Sequence, residues 1–230
     1  MQSSMTPDSR LLTALPYLKT GCRVIDVGTD HAYLPIYLVQ QGIASAVLAC
    51  DINRGPIESA RANIHSAQLD AQIQTLQTDG LNGTSFFSPD NILIFGMGGE
   101  LILRILRDAE WVKNPNIGLI LQPMSRANLL RRFLVENGFC IEGESLSYEG
   151  KYYQTIATRY CGVIERYSEE EEILGRWNLQ TPSPLFEGFL KHEISVYEAI
   201  LKGKQQSLAA DASYERHIIQ LLKQRLEEIK

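Results

Sequence analysis

The stretch Val24-Ile-Asp-Val-Gly-Thr-Asp-His-Ala-Tyr-Leu-Pro35 constrains this chain more than any other. An apolar, β-branched strand ends at the carboxylate of Asp26, turns at Gly28 and runs into a helix-compatible segment. That is how an α/β fold builds a cradle for a nucleotide-like ligand. Of the dinucleotide fingerprint G-x-G-x-x-G only Gly28 is present, which argues against a nicotinamide cofactor. A carboxylate two residues before the glycine suits a ligand with a positive ammonium group. A second apolar strand, Val47-Leu-Ala-Cys-Asp51, closes on another acid 23 residues after Gly28. Its carboxylate can accept two hydrogen bonds from a ribose diol.

The rest of the first 160 residues alternates. Thr6-Pro7-Asp8 reads as the start of a helix over 7–19, with Leu11, Leu12, Leu15 and Leu18 at helical spacing. Further helices are expected near 32–41, 56–68, 100–108 and from a Ser125 cap to about 136. Strands are expected at 23–27, 46–51, 72–77, 91–95 and 117–122, with a terminal hairpin of 139–146 and 152–160. Such alternation predicts a doubly wound, seven-stranded, mostly parallel sheet with one antiparallel strand in the edge hairpin. After about residue 161 the pattern changes. Glu169-Glu-Glu-Glu172 reads as a solvated charged face, Pro182-Ser-Pro184 as a linker, and the remainder as a helical hairpin with coiled-coil character. Its seams are Leu190, Ile194, Tyr197 and Leu201, then Ile218, Leu221, Leu222, Leu226 and Ile229, with a turn among Gly203 and Ser207–Ser213. The expected domains are 1–162 and 163–230.

The chain has 230 residues and net charge -5, with -2 in residues 1–160 and -3 in the rest, so any nucleic-acid surface must be local. Arg126, Arg131 and Arg132, with Arg10, Arg54 and Lys151, are candidates for such a rim. No apolar run approaches the ~20 residues of a membrane helix. The polar N-terminus does not resemble a signal peptide, and a cytoplasmic protein is expected. Cys22, Cys50, Cys140 and Cys161 are scattered without C-x-x-C pairs or a histidine cluster; they read as free thiols rather than a metal site.

Other strand ends carry candidate chemistry. Asp79-Gly80 follows the third strand, where an aspartate can accept from an adenine amino group. Gly96-Met97-Gly98-Gly99 ends the fourth, and three glycines in four positions mark a sharp bend or a close approach to another molecule. His31 and Tyr33, just after the first glycine turn, are candidates to contact a cofactor tail or line the target pocket. Gln122 ends the fifth strand and can offer an amide to the pocket rim. His31, Tyr33 and Gln122 are therefore the catalytic candidates. Two strand-end acids that grip a ribose and an ammonium group suit S-adenosylmethionine, which carries both.

Taken together, Ile25-Asp-Val-Gly-Thr-Asp-His-Ala-Tyr-Leu34, Gly55-Pro56, Gly96-Met-Gly-Gly99, Leu119-Ile-Leu-Gln-Pro123 and Lys151-Tyr-Tyr153 resemble the bacterial tRNA (adenine(22)-N(1))-methyltransferase family, TrmK. The resemblance implies a class I S-adenosylmethionine-dependent, Rossmann-like methyltransferase with a C-terminal helical domain, acting on tRNA to form 1-methyladenosine. Carried over, Asp26, Gly28 and His31 would flank the methionine part of the cofactor, and Arg10 would reach its carboxylate. Asp51, with Ile52 beside it, would hold the ribose, and Asp79 with Gly80 the adenine. Gly96 and Met97 would sit beside the transferred methyl. Many amino-methylating enzymes carry Asn or Asp before Pro-Pro at the end of the fourth strand; this chain has Gly96-Met-Gly-Gly instead. A monomer or weak dimer without metal is expected. The competing readings are a methyltransferase of a small molecule or protein, and a non-catalytic RNA-binding protein that retains the fold.

Overall fold

The computed structural model describes residues 8–205 and 211–229. Helix α1 (Ser9–Leu12) precedes β1 (Cys22–Val27), α2 (Tyr33–Gln40), β2 (Ala44–Asp51), α3 (Arg54–Ser66) and β3 (Ile73–Gln77). Then come β4 (Asn91–Met97), α4 (Gly99–Asp108), β5 (Gly118–Pro123), α5 (Ala127–Glu136), β6 (Phe139–Tyr148) and β7 (Tyr152–Tyr160). The seven strands form one sheet in the order β3-β2-β1-β4-β5-β7-β6. Strands β1 to β5 pair in parallel, while β7 runs antiparallel to both β5 and the edge strand β6. The order reverses between β1 and β4, so the loops after these strands meet in a crevice at their C-terminal ends.

Near-continuous apolar runs in the central strands are buried on both faces, as helices on two sides require. One core holds Ile25, Leu48, Ile92, Ile94 and Leu119 under α4 and α5. The other holds Val24, Val47, Leu93 and Ile120 with Leu34 and Leu38 of α2 and Ile64 of α3.

The N-terminal segment departs from the single helix expected over 7–19. Helix α1 ends at Leu12 and a short 3-10 turn covers Leu15–Tyr17. Pro16 explains the break, because it lacks the N–H a continuing helix needs. The expected start at Thr6-Pro7 lies outside the described residues. Ser125 does not cap α5: the helix begins after Arg126, which is left-handed at φ 56° and makes no side-chain cap.

The C-terminal region holds α6 (Glu169–Leu174), α7 (Arg176–Gln180), α8 (Phe186–Gln205) and α9 (Ser213–Glu228). Helices α8 and α9 pack through Leu190, Ile194, Ile218 and Leu222, joined by Ile173 and Leu174 of α6. Leu146 and Tyr152 of the sheet hairpin pack against the same cluster. Gly203 lies within α8 rather than in a turn, and most of the expected turn, residues 206–210, falls outside the described residues.

The acidic run 169–172 is not a solvated face. Ser168 and Glu171 form a capping box at the start of α6. Glu170 pairs with Arg225 at 2.7 Å, Glu171 with Arg176 at 2.7 Å and Glu169 with His217 at 2.9 Å. Glu172, buried, takes Arg132 in a two-pronged bond. Arg131 and Arg132 are thereby removed from any basic rim, and Arg54 is held by Glu58. Cys140 and Cys161 are not free thiols either. The β6–β7 pairing, in which Phe139 faces Tyr160, brings them to a Cα–Cα distance of 5.8 Å and they are bonded as a disulfide. Cys22 and Cys50 are free and buried.

Arg131 joins the two regions. Its side chain and that of Glu144 are 0% and 1% exposed, with Nε donating to Glu144 Oε1 at 2.6 Å. Nη1 donates to the carbonyls of Glu172 and Ile173, and Nη2 to Gln154 Oε1. The other oxygen of Glu144 accepts from the Trp177 amide at 3.0 Å. Among the described residues no helix is long and apolar enough to cross a membrane.

Removing one partner of a buried pair strands the other charge, at a cost of about 3–5 kcal/mol. Arg131→Met is therefore expected to lower the unfolding free energy in urea by about that amount, and a loss below about 1 kcal/mol would contradict this reading of the pair.

Candidate active site

The end of β1 shapes the floor of a cleft of about 590 Å³. Asp26, 5% exposed, is the last polar side chain on the strand and makes no ion pair among the described residues. The following loop is unusually bent: Gly28, Asp30 and Ala32 have φ of 81°, 49° and 58°. Two left-handed non-glycine residues in such a short run are costly and are held only where surroundings fix them. Here the amides of Gly28 and Thr29 both donate to the Cys50 carbonyl, at 2.8 and 3.0 Å. A Cβ on Gly28 would come within 2.6 Å of Met97 Cε, so glycine is required by space as well as by φ.

Of the residues singled out in the sequence, Arg10, Asp26, Gly28, His31, Tyr33 and Gly96 line the cleft. Arg10 reaches across from α1, with Nη1 3.4 Å from Gln122 Oε1 and the guanidinium 5.5 Å from the Tyr153 ring centre. His31 and Tyr33 stack, their ring centres 5.2 Å apart. Gly96, at φ 75°, sits at the irregularity where β4 shifts register against β5.

Asp51, Ile52, Asp79, Gly80 and Met97 do not line the cleft but lie along the same edge of the sheet. Asp51 Oδ1 accepts from the Asn53 amide at 2.8 Å, and Ile52 is exposed. Asp79 pairs with Arg104 at 3.0 Å. Gly80, at φ 57°, packs where a Cβ would meet Ile105 at 2.9 Å. Gln122 is not at the rim. It is fully buried, with Nε2 donating to the Arg10 carbonyl at 2.8 Å and to Thr155 Oγ1 at 3.1 Å. It acts on the site by holding Arg10.

Sequence reasoning missed Asp8, Leu11, Thr29, Asp30, Leu34 and Phe95 as lining residues. Thr29 and Asp30 sat inside the quoted motif; Asp8 and Leu11 reach the cleft only because α1 folds back over it. The Gly96–Gly99 block also proves to serve two ends. Gly96 borders the cleft, whereas a Cβ on Gly99 would lie 2.6 Å from the Arg126 carbonyl oxygen and 2.8 Å from that of Ser125. Gly99 is there for packing.

Burial raises the Asp26 carboxyl to about 6; the Asp51 charge adds to this, and the adjacent Thr29 hydroxyl opposes it. That hydroxyl is itself buried and makes no hydrogen bond of good geometry. Burial, with Asp26 and Asp51 nearby, lifts the Cys50 thiol to about 12, which makes it an inert core side chain. No group of three or more His, Cys, Asp or Glu among the described residues could hold a metal ion.

A methyltransferase-domain family profile matches residues 8–156. The tRNA (adenine(22)-N(1))-methyltransferase of Bacillus subtilis is 30% identical, over 96% of this chain and 94% of that protein. The chain belongs to the tRNA (adenine(22)-N(1))-methyltransferase family. Two solved structures extend the likeness to this family. A candidate tRNA (m1A22) methyltransferase of Streptococcus pneumoniae, in complex with S-adenosyl-L-methionine, is 31% identical over 96% of this chain and all of that one, with a TM-score of 0.84. The M. capricolum TrmK in complex with S-adenosyl-homocysteine is 28% identical over 98% and 100%, with a TM-score of 0.81. These matches run through the helical hairpin as well as the sheet, as the sequence resemblance implies for this family.

Asp26 carries a stability signature. Its raised folded pKa means that its contribution is full below the unfolded value of 3.8 and is lost as pH rises through about 6. Asp26→Asn is expected to stabilise the ligand-free protein by about 1–3 kcal/mol at pH 7. The gain should vanish near pH 4, and urea unfolding at both pH values checks it. A destabilised variant at pH 7 would contradict the burial argument.

Proposed function

We propose that this chain transfers the methyl group of S-adenosylmethionine to N1 of the adenosine at tRNA position 22. The observation that carries the reading is likeness along the whole chain, helical hairpin included, to an enzyme of that activity. The cleft fits such a cofactor on its own terms. It offers a buried carboxylate without a counter-charge, an arginine across from it, an unpartnered Thr29 hydroxyl and a glycine whose Cβ has no room.

In this reading Asp26 takes the ammonium of the amino-acid end and Arg10 its carboxylate, with Gly28 and His31 flanking. Gln122 is a positioning residue that fixes Arg10. Asp51 and Ile52 serve the ribose, and Asp79 and Gly80 the adenine, on the strand ends next to the cleft. Gly96 and Met97 border the place of transfer. The bound cofactor supplies an electrophilic sulfonium methyl. Adenine N1 has an in-plane lone pair at neutral pH, so no side chain has to remove a proton before attack. The residues act by alignment and by excluding water, and no general base is assigned. His31 and Tyr33 stand at the mouth, where they can meet the incoming base. The target adenine must be turned out of the folded RNA to reach them. A tRNA substrate puts this work in the cytoplasm. The protein acts as a monomer or weak dimer, with the sheet domain at 1–162 and the helical domain at 163–230.

Incubation with methyl-labelled S-adenosylmethionine and an unmodified tRNA transcript is expected to label 1-methyladenosine at position 22. A transcript with guanosine at that position should stay unlabelled. Label on another nucleoside, or none when cofactor binding is intact, would sink the reading.

A further inference from the structure

A second cleft, of about 630 Å³, lies between α8 and the loop that joins β5 to α5. Its volume is within the range of small-ligand sites, about 300–1,000 Å³. One face of α8 supplies His192, Glu193 and Tyr197 at helical spacing, and β7 and α9 add Tyr152 and Tyr214. The Tyr152 and His192 rings lie 5.6 Å apart. Met124, Ile200 and Tyr214, three of the large apolar side chains the fold leaves exposed, also line the cleft.

Two acids, Glu193 and Glu215, and two cationic side chains, Arg126 and Lys204, are among its polar lining. Glu193 makes no hydrogen bond or ion pair among the described residues, and burial pushes its carboxyl up to about 7, against the pull of Arg131. Arg126 makes no ion pair among the described residues, whereas Lys204 is held by Glu215 at 2.7 Å. One free guanidinium is too little to track a phosphate backbone. Glu215 also lines the cleft, its Oε1 on Lys204 and its Oε2 buried without a hydrogen-bond partner, so Glu193 is the lining carboxylate that no cation among the described residues holds. Aromatic walls with that carboxyl suit a base, stacked and read at its N–H edge.

The cleft is tied to the first site. Met124 donates its amide to the Met97 carbonyl at 2.8 Å, and Gly99 donates to that of Ser125 at 2.8 Å. Arg126 holds its left-handed backbone where Gly99 packs against it. The wall of the second cleft is thus bonded to both ends of the Met97–Gly99 turn.

We propose that this second cleft binds another unpaired nucleotide of the same RNA, its base stacked among His192, Tyr197 and Tyr214, its N–H edge on Glu193 and its phosphate on Arg126. The inference rests on the tRNA reading above and deepens it. Occupying the cleft fixes the RNA on the protein while the adenosine to be methylated enters the first site.

The test uses the full chain and an unmodified tRNA transcript. A His192→Ala, Tyr214→Ala double variant and a Glu193→Gln variant are compared with the parent for RNA affinity and, by calorimetry, for S-adenosylmethionine affinity. Loss of base stacking is expected to weaken RNA binding about 5- to 100-fold. Cofactor affinity should be unchanged, and aromatic replacement by His192→Phe should retain RNA affinity. RNA affinity within about twofold of a methylating parent, in both variants, would overturn the cleft assignment alone. So would a joint loss of both affinities, which marks a structural role. A parent that binds cofactor but neither binds nor methylates tRNA would overturn the parent reading, and this assignment with it.

Discussion

One buried carboxylate with no ion pair among the described residues, Asp26, sets the terms for the catalytic half of the molecule. It stands at the end of a central strand, 5% exposed, beside another acid and a buried hydroxyl with no hydrogen bond of good geometry. A core that buries such a group loses stability unless a ligand supplies the missing positive charge. The strained turn at Gly28, Asp30 and Ala32 belongs to the same arrangement, since it brings the His31–Tyr33 pair to the cleft that Asp26 floors. Strain and unmet charge gathered in one crevice mark a surface shaped for binding.

The helical half depends on the opposite solution to the same problem. The side chains of Arg131 and Glu144 are 0% and 1% exposed, yet each is matched, and the guanidinium also binds two carbonyls at the end of α6. Because α6 packs into the α8–α9 core, this network fixes where α8 stands relative to the β5–α5 loop. The second cleft exists through that placement. It connects the sheet, where methyl transfer is assigned, with the hairpin, where a tRNA methyltransferase needs a further hold on its RNA.

What could be read in the sequence was what is local. The strand-carboxylate-glycine run, the alternation of elements and the terminal hairpin are set by spacing within a few residues, and the structure has them where spacing puts them. What was hidden depends on partners far along the chain. Glu170 meets Arg225 and Glu172 meets Arg132, so a charge run that looks solvated is an ion-paired seam. Cys140 and Cys161 become neighbours only across the β6–β7 pairing. Gln122 looked like a rim amide because it ends a strand, but its side chain points to the side where α1 returns and secures Arg10. The extra glycines of Gly96–Gly99 were read as one binding turn, yet Gly99 answers to a loop about 26 residues later, which no local pattern records.

In the proposed function the site is built around an ionisable carboxyl, Asp26, that a cationic cofactor completes. Calorimetry of S-adenosylmethionine binding in buffers of different ionisation enthalpy tests it most directly. With Asp26 near 6 in the free protein and ionised in the complex, binding at pH 5.5 should release about three quarters of a proton. Release should fall towards zero by about pH 7.5, and the pH 5.5 release should be absent in Asp26→Asn. Binding at pH 5.5 without proton release, or with the same release in Asp26→Asn, would contradict the account.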